Sequence, residues 1–238
     1  MNPPEQWASA FPFLTPEAIA LMEQLPPLYA EWNAQINVIS RKDQDGIWVR
    51  HIMHSLCLGG IMPHRPGLLV LDVGTGGGFP GIPLAIAFPN IHFTLVDSIG
   101  KKIKVVQAIV DALGLSNVTA LHARAESVQG PFDVVVTRAV ASAATLRSWV
   151  RHGWSKNPNA AIYALKGGDL HEELSGIKAK LFPISDVLSG EFYETNTWFV
   201  FRPNRKDVAR FSENETEIKR GSKRMDPLFF MARMLLSP

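Results

Sequence analysis

The sequence predicts an α/β fold in which helices cover both faces of a largely parallel sheet. From residue 68 onward, short apolar runs alternate with segments of helical periodicity; the runs lie at 68–73, 92–97, 118–123, 132–137 and 160–165. This alternation is typical of βαβ units. A further run at 197–202 predicts another strand, antiparallel and at an edge of the sheet.

Two helical segments precede the first strand. Pro16 suits the first position of a helix, and the following apolar residues share one helical face: Leu21, Leu25, Leu28, Trp32 and Ile36. Pro26 and Pro27 predict a break within this helix. A second helix is expected over about 45–58, ending at Gly59 and Gly60.

These patterns divide the chain into three parts. We predict a helical cap over 1–65, packed on an α/β domain over 66–203, and a basic tail over 204–238 with a mobile polar part and a short helix. The net charge is −2 over residues 1–201 and +4 over 202–238. The basic character therefore lies at the C-terminus.

Composition excludes several classes of protein. With 238 residues, of which 46% are hydrophobic, the chain can bury a full core. The only cysteine, Cys57, excludes an internal disulfide framework and a cysteine zinc site. The N-terminus lacks the pattern of a signal peptide, and no stretch approaches the roughly 20 apolar residues of a membrane span. We expect a cytoplasmic protein without a membrane partner.

A glycine cluster follows the first predicted strand. Gly76, Gly78 and Gly81 match the spacing of a dinucleotide-binding loop, but such a match alone is weak. Asp72 stands two residues before Gly74, at the end of the strand, where its carboxylate would repel a phosphate. A cationic ligand suits this position better.

S-adenosylmethionine (SAM) carries a sulfonium and an ammonium and has no phosphate. Asp97, at the end of the next strand, provides a second carboxylate, which can accept both hydroxyls of a ribose. The glycines let the backbone approach the ligand closely. We therefore predict a Rossmann-like, SAM-dependent methyltransferase fold with a seven-stranded, mostly parallel sheet and an N-terminal helical extension.

The residues at the end of the fourth predicted strand limit which atoms could accept the methyl group. The sequence VVVTRAVAS at 134–142 lacks the Asn or Asp, two prolines and an aromatic residue that adenine-N6 methylation typically uses. Cys57 lies too far upstream to be the nucleophile that cytosine-C5 methylation requires. An acceptor with a free lone pair, such as guanine N7, needs neither a general base nor a covalent intermediate.

Seven ordered motifs resemble the RsmG (GidB) family of ribosomal RNA small-subunit methyltransferases. They are WNAQINVISRKD (32–43), VRHIMHSL (49–56), LDVGTGGGFPGIPLAI (71–86), LVDSIGKKIKVV (95–106), ARAE (123–126), TRAVAS (137–142) and YALKGG (163–168). The resemblance spans roughly 15–202. It implies methylation of guanine N7 in a decoding-region loop of 16S rRNA, with SAM as the methyl donor and the rRNA or the small subunit as partner. We expect a monomer.

The resemblance also implies particular site residues. The predicted SAM-binding set is Asp72, Gly74, Thr75, Gly76, Gly78, Phe79, Asp97, Ala125, Glu126 and Arg138, of which Asp72 and Asp97 rest on the charge argument above. Glu126 would meet the adenine amino group, and Ala125 would contact the ring. Arg138 is expected to pair with the carboxylate of the donor or with an RNA phosphate.

The remaining candidates lie on the acceptor side. We name no general base; Arg138 and His51 are the candidate acceptor-side residues. Family members commonly carry Asp where this chain has His54. No third metal ligand stands near His51 and His54, and we expect no metal. The residues expected to form a rim that contacts RNA phosphates are Arg41, Lys42, Arg50, Lys101, Lys102 and Lys104.

Three other functions fit parts of the pattern. A small-molecule SAM-dependent methyltransferase would act on a metabolite without RNA and with little salt dependence. An NAD-dependent dehydrogenase is favoured only by the glycine spacing and opposed by Asp72. A non-catalytic RNA-binding module would bind RNA without measurable affinity for the donor. Fold alone does not separate these functions.

Overall fold

The computed structural model describes residues 3–202 except 6, 139, 156 and 158, so the predictions for 204–238 lie outside the described residues. The strands are β1 (Leu69–Val73), β2 (His92–Asp97), β3 (Val118–His122), β4 (Val134–Arg138), β5 (Ala161–Gly167), β6 (Ala179–Pro183) and β7 (Asn196–Phe201). They form one sheet in the order β3-β2-β1-β4-β5-β7-β6. All neighbours from β3 to β5 pair in parallel, and β7 is antiparallel to both β5 and β6.

The α-helices are α1 (Pro16–Met22), α2 (Leu25–Asn33), α3 (Arg41–Gln44), α4 (His54–Gly59), α5 (Gly81–Ala87), α6 (Gly100–Leu113), α7 (Ala143–Trp149) and α8 (Glu191–Glu194). A π-helix over Trp48–Met53 leads directly into α4. Short 3-10 helices lie at Trp7–Ala10, Ala125–Ser127 and Ile184–Asp186. No helix among these described elements is long and apolar enough to cross a membrane.

The first two α-helices lie where the sequence predicts them. The Thr15 hydroxyl accepts the backbone N–H of Ala18 and caps α1, whose first residue is Pro16. The predicted break falls at Glu23 and Gln24, because Pro26 stands in the first turn of α2, where a missing N–H costs nothing. The helical extension therefore contains two short α-helices, α1 and α2, where one long helix would otherwise run.

The predicted last strand exists and is antiparallel, but its predicted place at the edge is wrong. β7 lies between β5 and β6, with Phe199 opposite both Ala164 and Leu181. The seven-stranded sheet is confirmed; its edge strand β6 is half exposed and ends in Pro183. A proline is tolerated at an edge because no ladder hydrogen bond is needed there.

The sheet buries apolar side chains on both faces. One face packs against the N-terminal helices, α5 and α6 in a cluster that includes Phe11, Leu25, Ile82 and Val106. The other face packs mainly against α7 through Leu146. Because the N-terminal helices share the first cluster with the sheet, they are joined to it through a common core. The boundaries predicted after residues 65 and 203 stay predictions.

The carboxyl ends of β1 and β4 meet at the point where the strand order reverses. The connection after β1 runs to β2 on one side, and the connection after β4 runs to β5 on the other. Val73 of β1 lies opposite Thr137 of β4. In open α/β sheets, ligands bind in the crevice at such a switch point.

Candidate active site

The glycine loop between β1 and α5 makes a tight turn above the sheet. Gly74, Gly76 and Gly78 have φ angles of 66°, 60° and 98°, a region that side chains disfavour. At Gly74 a Cβ would also lie 2.6 Å from Val140, which closes over the loop from the segment after β4. The loop therefore presents backbone rather than side chains to the crevice.

Asp72 holds this loop from beneath. Its Oδ2 accepts the hydroxyl of Thr75 at 2.6 Å and the backbone N–H of Gly81, the first residue of α5, at 2.9 Å. A Cβ at Gly81 would lie 2.7 Å from the same oxygen. The close approach of helix and carboxylate therefore requires glycine at this position.

Asp72 is fully buried, and burial raises the pKa of its carboxyl to about 7. Its second oxygen, Oδ1, is buried and has no hydrogen-bond partner among the described residues. A buried acceptor without a donor is costly. One oxygen of Asp72 thus fixes the loop, and the other is an unpaired acceptor buried beneath it.

Asp97 ties the end of β2 to the same loop. Its two carboxylate oxygens accept the backbone N–H groups of Gly76 at 3.0 Å and Ile99 at 2.9 Å. The ammonium of Lys102 lies 3.8 Å from Oδ2. Each oxygen retains a second lone pair, so the carboxylate can still accept hydroxyl groups.

A cavity of about 290 Å³ opens at the carboxyl ends of β1, β2 and β3. Four of the predicted SAM-binding residues line it, namely Gly74, Asp97, Ala125 and Glu126. Lys102, Val140 and Trp149 also line it; the sequence predicts Lys102 in the RNA rim and neither of the other two in the site. The remaining lining residues are Val73, Val96, Ser98, Ala123 and Arg124. The lining combines two carboxylates, each 3.8 Å from a cationic side chain, with apolar side chains and the backbone of the glycine loop, a mixture that suits an adenosine bearing charged groups of both signs.

A larger cavity, about 480 Å³, lies elsewhere. It is lined by the first residues of β1 and β2 and by the segment 127–132, and it contains none of the predicted site residues. The smaller cavity is the better candidate because it lies at the carboxyl edge of the sheet, beside the two acidic strand ends.

Arg138, the last residue of β4, is held by neutral groups. Its guanidinium donates to Nδ1 of His51 at 2.8 Å and to the backbone carbonyl of Arg50 at 3.1 Å, and it lies 5.5 Å from the centre of the Phe79 ring. No carboxylate of the described residues forms an ion pair with it. Its positive charge is therefore uncompensated by any direct ionic contact within the described chain.

The π-helix provides both of these partners. Its wider turn carries His51 and the carbonyl of Arg50, which also lies 3.3 Å from Nδ1 of His54. Burial lowers the pKa of His51 and of His54 to about 3, and the nearby Arg138 charge adds to this effect. Both histidines are therefore neutral at pH 7. Because Nδ1 of His51 accepts the hydrogen bond from Arg138, the ring proton of His51 is on Nε2.

The remaining predicted residues are spread more widely. Thr75, Gly76 and Gly78 shape the loop, and Phe79 is buried on the side of the loop that faces Tyr29 and His51. The RNA-rim candidates Lys101 and Lys104 are exposed on α6. Arg50 pairs with Asp43 at 2.7 Å at the surface.

The last two rim candidates, Arg41 and Lys42, open the short helix α3. Among the described residues, no three His, Cys, Asp or Glu side chains form a group that could hold a metal.

Comparison with known proteins decides the family. The model of the GidB family, described as rRNA small subunit methyltransferase G, matches residues 18–189. The chain belongs to this family. The ribosomal RNA small subunit methyltransferase G of Flavobacterium johnsoniae is 51% identical over 191 residues, covering 78% of this chain and 91% of that protein. The protein of the same name from Christiangramia forsetii is 49% identical, with coverages of 78% and 90%.

Solved structures confirm the fold of this family member. A mutant of MtNAS, solved in complex with S-adenosylmethionine, superimposes with a TM-score of 0.52 at 14% identity, over 78% of this chain and 76% of that one. The Rossmann-like fold is thus shared despite low identity. The predicted family, fold class and methyl donor are confirmed: the chain is a SAM-dependent rRNA methyltransferase.

Proposed function

We propose that this protein transfers the methyl group of SAM to N7 of a guanine in the decoding-region loop of 16S rRNA. It acts as a monomer in the cytoplasm, on the rRNA or on a small-subunit assembly intermediate. The observation that carries the proposal is the family match over residues 18–189, which spans both the loop after β1 and the segment after β4.

The donor occupies the cavity at the ends of β1, β2 and β3. Asp97 accepts the ribose hydroxyls there, and the free Oδ1 of Asp72 lies buried beneath the loop as an acceptor for a cationic or hydrogen-bonding group. Glu126 and Ala125 receive the adenine. Because Lys102 and Arg124 balance the two carboxylates of this lining, the family match, rather than the net charge of the cavity, favours SAM over a dinucleotide.

The acceptor side offers positioning rather than proton transfer. Bound SAM supplies a methyl group on a sulfonium; the N7 lone pair forms the new bond while the C–S electron pair stays on sulfur. The guanine loses no proton, so the reaction needs no base. Neutral His51, whose Nδ1 is engaged by Arg138, is consistent with this requirement.

The test uses the protein with radiolabelled SAM and two acceptors, free 16S rRNA and assembled small subunits, both from a strain that lacks its own enzyme. The RNA is then cleaved by a treatment specific for N7-methylguanine. With at least one acceptor, we expect label in the RNA before cleavage and a single break in the decoding-region loop after it. Label without cleavage would contradict the N7 assignment, and no label in either acceptor would contradict the substrate.

A further inference from the structure

The N-terminal extension reaches into the glycine loop through one side chain. Tyr29 of α2 donates its hydroxyl hydrogen to the carbonyl of Gly77, at 2.5 Å, and its ring packs on Phe79 with 4.9 Å between ring centres. The residue is 1% exposed, and burial raises the pKa of its hydroxyl, so the proton is retained for donation. This contact joins two parts of the chain that lie 48 residues apart.

The rest of the loop is anchored differently. Asp97 holds the N–H of Gly76, and Asp72 holds Thr75 and Gly81, so those anchors come from the strands themselves. The Gly77 carbonyl is held instead by the extension. The segment after α2 supports the same point, because a Cβ at Gly77 would lie 3.4 Å from Val38.

The far side of Phe79 continues the contact toward the acceptor side. The ring lies 4.9 Å from that of His51 and 5.5 Å from the Arg138 guanidinium. Phe79 thus stands between a helix of the extension and the residues that hold Arg138. A shift of the loop at Gly77 would therefore also move Phe79 and change its contacts with His51 and Arg138.

We propose that Tyr29 is a positioning residue for SAM binding, through which the N-terminal extension fixes the glycine loop in its binding conformation. The proposal rests on the proposed function only in that the loop receives SAM. Glycines at 76, 77 and 78 leave the loop many conformations, and the hydroxyl of Tyr29 selects one before the donor arrives.

The first test compares Tyr29→Phe with Tyr193→Phe. Tyr193 is the matched control because it is as buried as Tyr29, at 3% exposure, and its hydroxyl also donates to a backbone carbonyl. That carbonyl belongs to Val49, at 3.0 Å, and not to the glycine loop. Each variant loses one buried hydroxyl and its hydrogen bond to a carbonyl. We expect Tyr29→Phe to raise the Kd for SAM about 3- to 10-fold in titration calorimetry, and Tyr193→Phe to change it less than about twofold. Equal Kd values for the two variants would overturn the proposal.

The second test uses the unaltered protein, so it also serves if Tyr29→Phe does not fold. Hydrogen exchange is followed with and without SAM. We expect the donor to protect the amides of α2 as well as those of the glycine loop, and to leave α8 unchanged. Protection of the loop without α2 would overturn the proposal. Neither measurement contains RNA, so failure of the guanine-N7 assignment is detected separately.

Discussion

Arg138 is a half-buried cation whose described hydrogen-bond partners are a neutral imidazole and a backbone carbonyl. Partial burial without a paired carboxylate leaves the guanidinium free to take an anion that arrives with the donor or with the RNA. The carboxylate of SAM and a phosphate of RNA share the chemistry that a guanidinium recognises. The two sources predict different kinetic effects.

For Arg138→Ala, we expect a loss of about 10- to 100-fold in one binding step, the range for a hydrogen bond to a charged group. If Arg138 holds the donor carboxylate, the Kd for SAM rises and the KM for RNA is unchanged; if it holds a phosphate, the reverse is seen. Arg65→Ala is the control. The Arg65 side chain is 66% exposed, it makes a long ion pair of 3.9 Å with Asp133, and it precedes the start of β1, at the opposite end of the strand from the site. Unchanged donor and RNA binding in Arg138→Ala would refute the assignment.

Single residues differ in how far the sequence reveals them. Asp97 could be predicted from the strand end that its apolar run defines, whereas Gly74, Ala125 and Glu126 were implied by the resemblance to the family; all four line one cavity. Tyr29 could not be predicted, since the apolar face assigned to the first helix was displaced by one position. The buried residues Ala18, Met22, Leu25 and Tyr29 recur at helical spacing. Only Leu25 belongs to the predicted face, and the predicted Leu21 and Leu28 stand one position before Met22 and Tyr29.

Among the secondary-structure elements, those with a local apolar pattern could be predicted from the sequence, and those without one could not. The strands β1 to β5 and β7 follow from their apolar composition. The edge strand β6 has little apolar signal, because half-exposed residues occupy it. No local pattern in the sequence predicts the π-helix over Trp48–Met53, in which the carbonyl of Arg50 accepts a hydrogen bond from Arg138, 88 residues downstream.

The junction between β1 and α5 provides a prediction at the level of elements. Gly81→Ala places a methyl group 2.7 Å from Oδ2 of Asp72 and from Cγ of Leu95, both buried. The helix must move or Asp72 must give up its hydrogen bond, which we expect to lower the free energy of unfolding by about 1–3 kcal/mol. Chemical denaturation measures this change.

The matched control is Gly167→Ala, at the end of β5, where the nearest atom to an added Cβ is Oδ1 of Asn196 at an ordinary 3.4 Å. We expect a change below about 0.5 kcal/mol there. A Gly81→Ala variant as stable as Gly167→Ala would show that the contact between α5 and Asp72 is not close in solution.

The whole molecule is expected to lose stability as the pH falls from 6.5 towards 4. His51 and His54 have pKa values of about 3 in the folded state against an ordinary histidine pKa of 6.5, so in this window the unfolded chain binds two protons that the folded chain does not. Asp72 acts in the opposite direction, because its raised pKa of about 7 lets the folded state bind one proton that the unfolded state releases above 3.8.

The balance is a net uptake of about one proton on unfolding, which corresponds to about 1 kcal/mol of lost stability per pH unit. Burial also lowers the pKa of His64, which adds to the trend. Urea denaturation at pH 6.5, 6.0, 5.5 and 5.0 measures the slope. In His54→Asn, which removes one of the proton-binding groups, the slope should fall close to zero because the remaining histidine and Asp72 nearly cancel. A wild-type protein whose stability stayed constant or rose over this range would show that the two histidines are not held neutral by the π-helix and α4.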